Sequence, residues 1–151
     1  MLEIYVDADG CPVKDEVYRV AGRYGLQVWV VANDWLRVPD DPLVSRVTVS
    51  EGLDRADDWI AERIGSGDVA VTADVPLAAR CVGRGSRVIA PDGRVFTPDS
   101  IGTVLASRNL MTALREAGEI RGGGRPFTKQ DRSRFLGALD GAIQAIRRTG
   151  R

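Results

Sequence analysis

Apolar residues along the chain follow two alternating patterns. Short apolar runs, rich in valine, have the length expected of strands buried on both faces. Five such runs predict strands over residues 2–6, 27–32, 44–49, 68–74 and 87–90. A turn with Asp92 and Gly93 at its centre, followed by Val95 and Phe96, predicts that the fifth strand continues into a short hairpin.

Between these runs the apolar residues recur at the spacing of amphipathic helices. The predicted helices cover residues 12–24, 56–64, 76–82, 99–117 and 128–146. Glycines that favour helix ends follow the first four, at Gly25, Gly65, Gly83 and Gly118. Thr128 with Asp131 resembles an N-terminal cap, which predicts the start of the last helix.

The alternation of strands and helices predicts parallel strands joined by helical crossovers. We therefore expect an α/β protein of three layers, with a mostly parallel five-stranded sheet and helices on both faces. A chain of 151 residues has the length of about one domain, so residues 1–151 are predicted to form a single domain.

Composition narrows the possible chemistry mainly through the residues that are missing. No apolar run approaches the ~20 residues of a membrane span, so no membrane partner is expected. The N-terminus does not resemble a signal peptide, and Cys11 and Cys81 do not form a CxxC pair, which together favour a cytoplasmic location. The chain contains no histidine, which excludes histidine triads, histidine-ligated zinc and histidine general bases.

The net charge of zero hides an acidic part and a basic part. Residues 1–104 carry 11 Lys and Arg against 17 Asp and Glu, a balance of −6, and residues 105–151 carry 10 against 4, a balance of +6. The basic part includes Arg121, Arg125, Lys129, Arg132 and Arg134. It is either a solvated surface or a wall that meets nucleic-acid phosphates beside an acidic site.

Acidic residues follow several predicted strands at the point where each strand ends. Asp7 and Asp9 follow the first strand, Asn33 and Asp34 follow the second, and Asp74 ends the fourth. Ligands of open α/β sheets bind beyond the carboxyl ends of the strands, so these side chains are expected at one edge of the sheet. Asp68 begins the fourth strand instead and is expected at the opposite edge, as a turn residue.

The helix that follows Asp54 has acids on two faces. Asp57 shares the inward face of Ile60 and Ile64, whereas Asp58 lies on the outer face. Asp54 or Asp57 could simply cap the helix and complement its dipole. Alternatively, converging carboxylates without histidine or thiolate ligands suit a hard cation, Mg²⁺ or Mn²⁺, which can activate water in phosphodiester hydrolysis.

Five segments of the chain resemble the YaiI/YqxD family of uncharacterised bacterial proteins. They are "DADGCPVKDEV" from Asp7, "VAN" from Val31, "GLDRADDWI" from Gly52, "TADVPLA" from Thr72 and "PFTKQDRSRFLGALD" from Pro126. The segments occur in the family's order and extend over nearly the whole chain. The chain departs from the family at Gly10, where alanine is usual, and this change leaves the carboxylates intact.

The resemblance implies a PIN-like fold, because the family has been grouped with PIN-like and NYN-type domains. These domains are metal-dependent nucleases that act mostly on RNA. The grouping implies Asp7, Asp57 and Asp74 as metal ligands, with Asp9 and Asp54 in support. The function expected on this basis is a Mg²⁺- or Mn²⁺-dependent nuclease that acts on RNA rather than DNA.

Two other functions are compatible with the sequence. A strand that ends in "DADG" also resembles the haloacid-dehalogenase phosphatases, in which Asp7 would be the nucleophile and Asp9 the acid–base residue. That chemistry needs a lysine after a later strand, and neither Lys14 nor Lys129 occurs there. The third function is a non-catalytic RNA-binding module in which the acids are capped or paired.

Several further residues are candidates for contact with substrate. Lys14, Arg108 and Arg125 are predicted to position phosphates, and Lys129 belongs to the same basic region. Asn33 either reaches the site or holds its turn. Cys11, beside a helix N-terminus, is either a reactive thiol of lowered pKa or a packed core residue. Trp35 either stacks on a base or lies idle in its polar loop.

Overall fold

A computed structural model describes residues 2–49, 55–116 and 126–149, with side chains left undescribed at Arg55 and residues 108–116. Within these ranges the chain forms six strands and five helices. In chain order they are β1 (Ile4–Asp7), α1 (Lys14–Tyr24), β2 (Val28–Ala32), β3 (Val44–Thr48), α2 (Arg55–Arg63), β4 (Val69–Val71), α3 (Val75–Gly83), β5 (Arg87–Ile89), β6 (Val95–Phe96), α4 (Pro98–Glu116) and α5 (Lys129–Thr149).

The strands form one sheet in the order β3-β2-β1-β4-β5-β6. β1 to β5 are parallel, as predicted, and β6 is antiparallel to β5. The prediction of five strands was therefore wrong by one. Val95 and Phe96 pair with Ile89 and Val88 across the predicted hairpin turn, and two residues are too few to show a strand periodicity in the sequence.

Helices cover both faces of the sheet, which confirms the three-layer prediction. On one face α1 and α5 pack on Ile4 and Val6 of β1 and on the equivalent positions of β2, β4 and β5. On the other face α2 and α3 pack around Tyr5 of β1. The alternation of side chains along a strand places Asp7 on the same face as Tyr5, which is the face that α2 and α3 cover.

Most described helix ends follow the local signals of the sequence, but α3 includes Gly83, where its end was predicted, and its C-cap is Arg84. α1 ends before Gly25, and Asp74 is the N-cap of α3. α5 begins with reciprocal capping, since the Thr128 N–H donates to the Asp131 carboxylate at 2.9 Å and the Asp131 N–H donates to Thr128 Oγ1 at 3.1 Å. The predicted end of α4 at Gly118 lies outside the described residues.

The turn between β5 and β6 lies directly against α5. Gly93 has a φ of 94°, and a Cβ atom on it would lie 2.6 Å from the Cβ of Arg134. Only glycine permits this approach, because any side chain would overlap the helix backbone. The contact fixes the turn, including Pro91 and Asp92, beside the carboxyl ends of β4 and β5.

None of the described helices is long and apolar enough to cross a membrane.

Candidate functional site: an acidic cavity between two strand ends

The order of the strands reverses between β1 and β4, because chain segments after β1 add to one side of it and later strands add to the other. Open α/β sheets bind ligands in the crevice at such a point. A cavity of about 460 Å³ opens there, which we call the acidic cavity. It is lined by Asp7, Asp9, Gly10, Cys11, Asn33, Ala56, Asp57, Ala73, Asp74 and Pro91.

Asp7 is the last residue of β1 and is partly buried. Its Oδ2 accepts a hydrogen bond of 2.8 Å from Thr72 Oγ1. Burial raises the pKa of the Asp7 carboxyl, the bond from Thr72 opposes that rise, and the charges of Asp74 and Asp9 add to it. Asp7 therefore loses its proton less readily than an exposed aspartate, and a positive charge in the cavity would favour its ionised form.

Asp74 connects β4 to α3. Its Oδ1 accepts a hydrogen bond of 3.2 Å from the Leu77 N–H, which caps α3, and its own N–H donates to Thr72 Oγ1 at 3.0 Å. The side chain still lines the acidic cavity. Asp74 thus serves as a helix cap and as a wall of the cavity.

Asp9 reaches the acidic cavity from a turn rather than from an extended strand. β1 ends at Asp7, and Gly10 has a left-handed φ of 71°. Asp9 Oδ2 accepts a hydrogen bond of 2.9 Å from the backbone N–H of Asn33, just beyond β2. This bond ties the turn after β1 to the end of β2. Asn33 also lines the cavity and is exposed.

The two acids at the start of α2 diverge. Asp57 is partly buried and lines the acidic cavity, whereas Asp58 forms an ion pair of 2.9 Å with Arg80 of α3. Asp54 lies outside the described residues. At the opposite edge Asp68 accepts hydrogen bonds from the Glu3 N–H at 3.0 Å and the Gly65 N–H at 2.9 Å, so it is the turn residue that the sequence predicted.

Neither predicted lysine lines the acidic cavity. Lys14 Nζ donates to the Cys11 carbonyl at 2.8 Å, and Lys129 is an exposed first residue of α5. Arg125 lies outside the described residues, and the side chain of Arg108 is not described. The structure therefore brings Asp7, Asp9, Asp57 and Asp74 together around one cavity, and neither Lys14 nor Lys129 lines it.

The structure shows different surroundings for Cys11 and Trp35, two residues for which the sequence left alternatives open. Cys11 is buried in the core cluster and burial raises the pKa of its thiol, which argues for a packed residue rather than a reactive one. Trp35 is 63% exposed, and the Arg46 guanidinium lies 4.6 Å from its ring centroid. It does not line the acidic cavity. Trp29 and Trp59 pack with Tyr5 on the core.

Sequence reasoning missed two residues that organise the site. Thr72, which is buried, joins Asp7 to Asp74, and its signal is the threonine two residues before the aspartate that ends a strand. Arg132 of α5 donates to the Pro12 carbonyl at 2.7 Å and to Glu16 Oε1 at 3.2 Å, so it holds the segment after Asp9. It was predicted only as part of a basic surface.

The donor chemistry of the acidic cavity fits a hard cation better than a soft one. Its polar lining consists of carboxylates and an amide, and the one thiol, Cys11, has a raised pKa. The described residues hold no group of three acidic or thiol side chains close enough to enclose a metal ion. Carboxylates spaced around a cavity of about 460 Å³ suit an ion that keeps several of its waters, as Mg²⁺ does.

Comparison with known proteins gives a family without an assigned activity. The model of the family described as "Uncharacterized BCR, YaiI/YqxD family" matches residues 5–145. A "UPF0178 protein" of Rhodopseudomonas palustris (strain BisB18) is 60% identical over 148 residues, covering 98% of this chain and 96% of the relative. One from Nitrobacter winogradskyi is 60% identical over 147 residues, covering 97% and 94%. No solved structure matches the chain.

Proposed function

The chain belongs to the YaiI/YqxD family of uncharacterised bacterial proteins, and we propose from its own residues that it is a divalent-metal-dependent nuclease that hydrolyses phosphodiester bonds in RNA. The observation that carries the proposal is the convergence of Asp7, Asp9, Asp57 and Asp74 on one cavity at the carboxyl edge of the sheet. A PIN-like fold is part of the same proposal.

The electrostatics of the acidic cavity favour a cation. Carboxylates that line one cavity repel one another, and this repulsion contributes to the raised pKa of Asp7. A phosphodiester is itself an anion, so these carboxylates would repel it unless a positive charge stood between them. A divalent ion would relieve both repulsions at once.

Asp7, Asp57 and Asp74 would hold Mg²⁺ or Mn²⁺ in part through the waters that the ion keeps, because the described acids are not close enough to enclose a bare ion, and Asp9 and Asp54 would support them. Such an ion supplies positive charge for the phosphate oxygens and lowers the pKa of water. The protein supplies the orientation of the ligands. Thr72 directs Asp7, the α3 cap directs Asp74 and the Asn33 N–H holds Asp9. The Asn33 side chain, which lines the cavity, would contact the substrate.

The positions of the two described lysines favour a nuclease over a phosphatase. A phosphatase that used Asp7 as nucleophile would need a lysine to neutralise the phospho-aspartate. Lys14 donates to the Cys11 carbonyl, and Lys129 lies at the exposed start of α5. Neither one lines the acidic cavity, whereas a metal-dependent nuclease needs no lysine there.

Adjacent acids of α2 allow a matched test. Asp57 lines the acidic cavity, and Asp58 is paired with Arg80 on the outer surface. End-labelled single-stranded RNA would be incubated with the parent protein, Asp57→Asn and Asp58→Asn, with Mn²⁺ or with EDTA. We expect Mn²⁺-dependent cleavage that Asp58→Asn retains. The rate of cleavage should fall further in Asp57→Asn. Mutation of a residue that only orients a metal ligand typically lowers activity roughly 10–100-fold, and loss of a ligand itself should lower it more.

Other outcomes would select the alternatives. Hydrolysis of p-nitrophenyl phosphate without RNA cleavage would support a phosphatase. RNA binding without cleavage in either metal would support a binding module. Equal activity of Asp57→Asn and the parent protein would contradict the proposed ligand set.

A further inference from the structure

A second cavity adjoins the acidic cavity. It has a volume of about 340 Å³, and we call it the apolar cavity. It is lined by Gly10, Pro12, Ala73, Ala90, Pro91, Asp92, Arg94, Phe127 and Asp131. Gly10, Ala73 and Pro91 line both cavities, so a molecule bound in one would lie next to a group bound in the other.

The lining of the apolar cavity is mostly nonpolar. The exposed Pro12 and the partly buried Phe127 contribute rings, Ala73 is exposed, and Pro91 and Ala90 are buried behind them. Its volume lies at the small end of ligand pockets, which span about 300–1,000 Å³. These features fit a small planar group better than a long alkyl chain or a sugar.

Phe127 is held in place before any ligand arrives. It is partly buried against the core, and the Arg132 guanidinium lies 5.0 Å from the centroid of its ring. Arg132 is itself anchored on the Pro12 carbonyl and on Glu16. Arg132 does not itself line the apolar cavity, whereas Phe127 does. A fixed aromatic ring loses little conformational entropy when it binds a partner.

Three polar residues, Asp92, Arg94 and Asp131, also line the same cavity. Arg94 is exposed and its Nε forms an ion pair of 3.3 Å with Asp92. A guanidinium carries several further N–H donors, and a carboxylate has several acceptor sites. Arg94 and Asp92 can therefore offer donors and acceptors to the edge of a planar heterocycle whose faces contact the apolar walls.

We propose that the apolar cavity is a nucleobase subsite of the acidic cavity. Nucleobases combine flat apolar faces with polar edges, and stacking on aromatic side chains is tolerant of base identity. Because the two cavities share a wall, a base in the apolar cavity would lie beside a phosphate bound to the ion in the acidic cavity. The inference rests on the proposed function, because it assigns this cavity to the same RNA substrate.

The test compares two probes that differ only by a base. Adenosine 5′-monophosphate and ribose 5-phosphate would be titrated, in the presence of Mn²⁺, into the parent protein, Phe127→Ala, Phe127→Leu and Trp35→Ala. Trp35→Ala is the control, because Trp35 is an exposed aromatic residue that lines neither cavity. We expect the parent to bind adenosine 5′-monophosphate more tightly. Phe127→Ala should reduce that preference by roughly 5- to 150-fold, the range expected for one stacked base. Trp35→Ala should keep it.

Phe127→Leu guards against a folding defect, because leucine preserves an apolar side chain while it removes the flat ring. It should melt close to the parent temperature and still lose most of the preference. Equal binding of the two probes to the parent, no binding of adenosine 5′-monophosphate, or an unchanged preference in both Phe127 variants would overturn the subsite.

Failure of the nuclease proposal would look different. In Asp57→Asn the preference for the probe with a base should persist, since Asp57 does not line the apolar cavity. A preserved preference without RNA cleavage by the parent would refute the nuclease and keep the base site. Cleavage that proceeds equally fast at an abasic nucleotide would refute the base site and keep the nuclease.

Discussion

Thr72 donates a hydrogen bond of 2.8 Å from its hydroxyl to Asp7 Oδ2. The same hydroxyl oxygen accepts the Asp74 N–H at 3.0 Å, and the residue is buried. One side chain thus joins the carboxyl ends of β1 and β4, where the order of the sheet reverses. The separation of the two acids on which the proposed metal site depends is set in part by this threonine.

Thr72→Val tests the two hydrogen bonds of the Thr72 hydroxyl while the volume of the side chain stays nearly the same. Valine matches threonine in shape but offers neither a donor nor an acceptor, which leaves the partly buried Asp7 and the Asp74 N–H short of a partner. We expect a loss of about 1–3 kcal/mol in the free energy of unfolding, measured by chemical denaturation. Mn²⁺ binding should also require a higher pH, because the lost bond holds down the pKa of Asp7.

Thr72→Ser is the matched control, because serine keeps the hydroxyl and loses only a methyl group. It should remain closer than Thr72→Val to the parent in both measurements. If valine and serine are equally stable and bind Mn²⁺ with the same pH dependence, the hydroxyl does not organise the site.

Asp7→Asn tests the repulsion inside the acidic cavity, with EDTA present. The folded pKa of Asp7 is raised above its ordinary value of 3.8, so the folded state holds the proton more tightly than the unfolded chain. This contribution to stability is complete below the ordinary pKa and is lost as the pH rises through the raised one. Asparagine cannot ionise, so the variant should be as stable as the parent or more stable above this window.

Thermal melts across the pH range would measure the difference in stability between Asp7→Asn and the parent. This difference should shrink as the pH falls towards 3.8. Asp68→Asn is an opposite control. Asp68 accepts two backbone N–H groups at the far edge, so its replacement should cost about 1–3 kcal/mol. A comparable loss for Asp7→Asn at neutral pH would mean that Asp7 is a structural acceptor.

Arg132→Met tests whether α5 holds the segment that carries Asp9. The variant keeps an apolar side chain over Phe127 but loses the bonds to the Pro12 carbonyl and Glu16. We expect the free energy of unfolding to fall by about 1–2 kcal/mol. This is the low end for charged hydrogen bonds, because Arg132 is partly exposed. Mn²⁺ affinity should also fall. Arg19→Met, an exposed change on α1, is the control and should leave both properties unchanged.

Salt dependence tests the basic region that follows residue 105. Affinity for single-stranded RNA should fall steeply with salt, and each phosphate-contacting charge that is removed should flatten the log–log slope by about 0.7. Arg125→Ala and Lys129→Ala should flatten it more than Arg134→Ala, because the Arg134 guanidinium is paired with Asp131. An unchanged slope in all three variants would make this region a solvated surface.

The sequence alone determined the types of most elements and the edge at which the acids gather. Residues such as Val28 and Val30, or Val17 and Val20, have local spacings that select strand or helix before any contact forms. Since the strands joined by helices are parallel, their carboxyl ends share one edge, and Asp7 and Asp74 had to lie on it. The hairpin at Val95 and Phe96 was predicted, but β6 was not counted as a strand of the sheet, because its pairing with β5, rather than its own pattern, makes it one.

Only the tertiary structure decided how these residues combine. The placement of β1 beside β4 is a choice of strand order, and no local pattern encodes it. The contacts of Arg132 with Pro12 and Glu16 join residues more than a hundred positions apart, and the raised pKa of Cys11 follows from burial that a helix N-terminus alone would not predict. Local spacing fixes which face of an element a residue occupies, but distances, partners and solvent exposure exist only once the layers have packed.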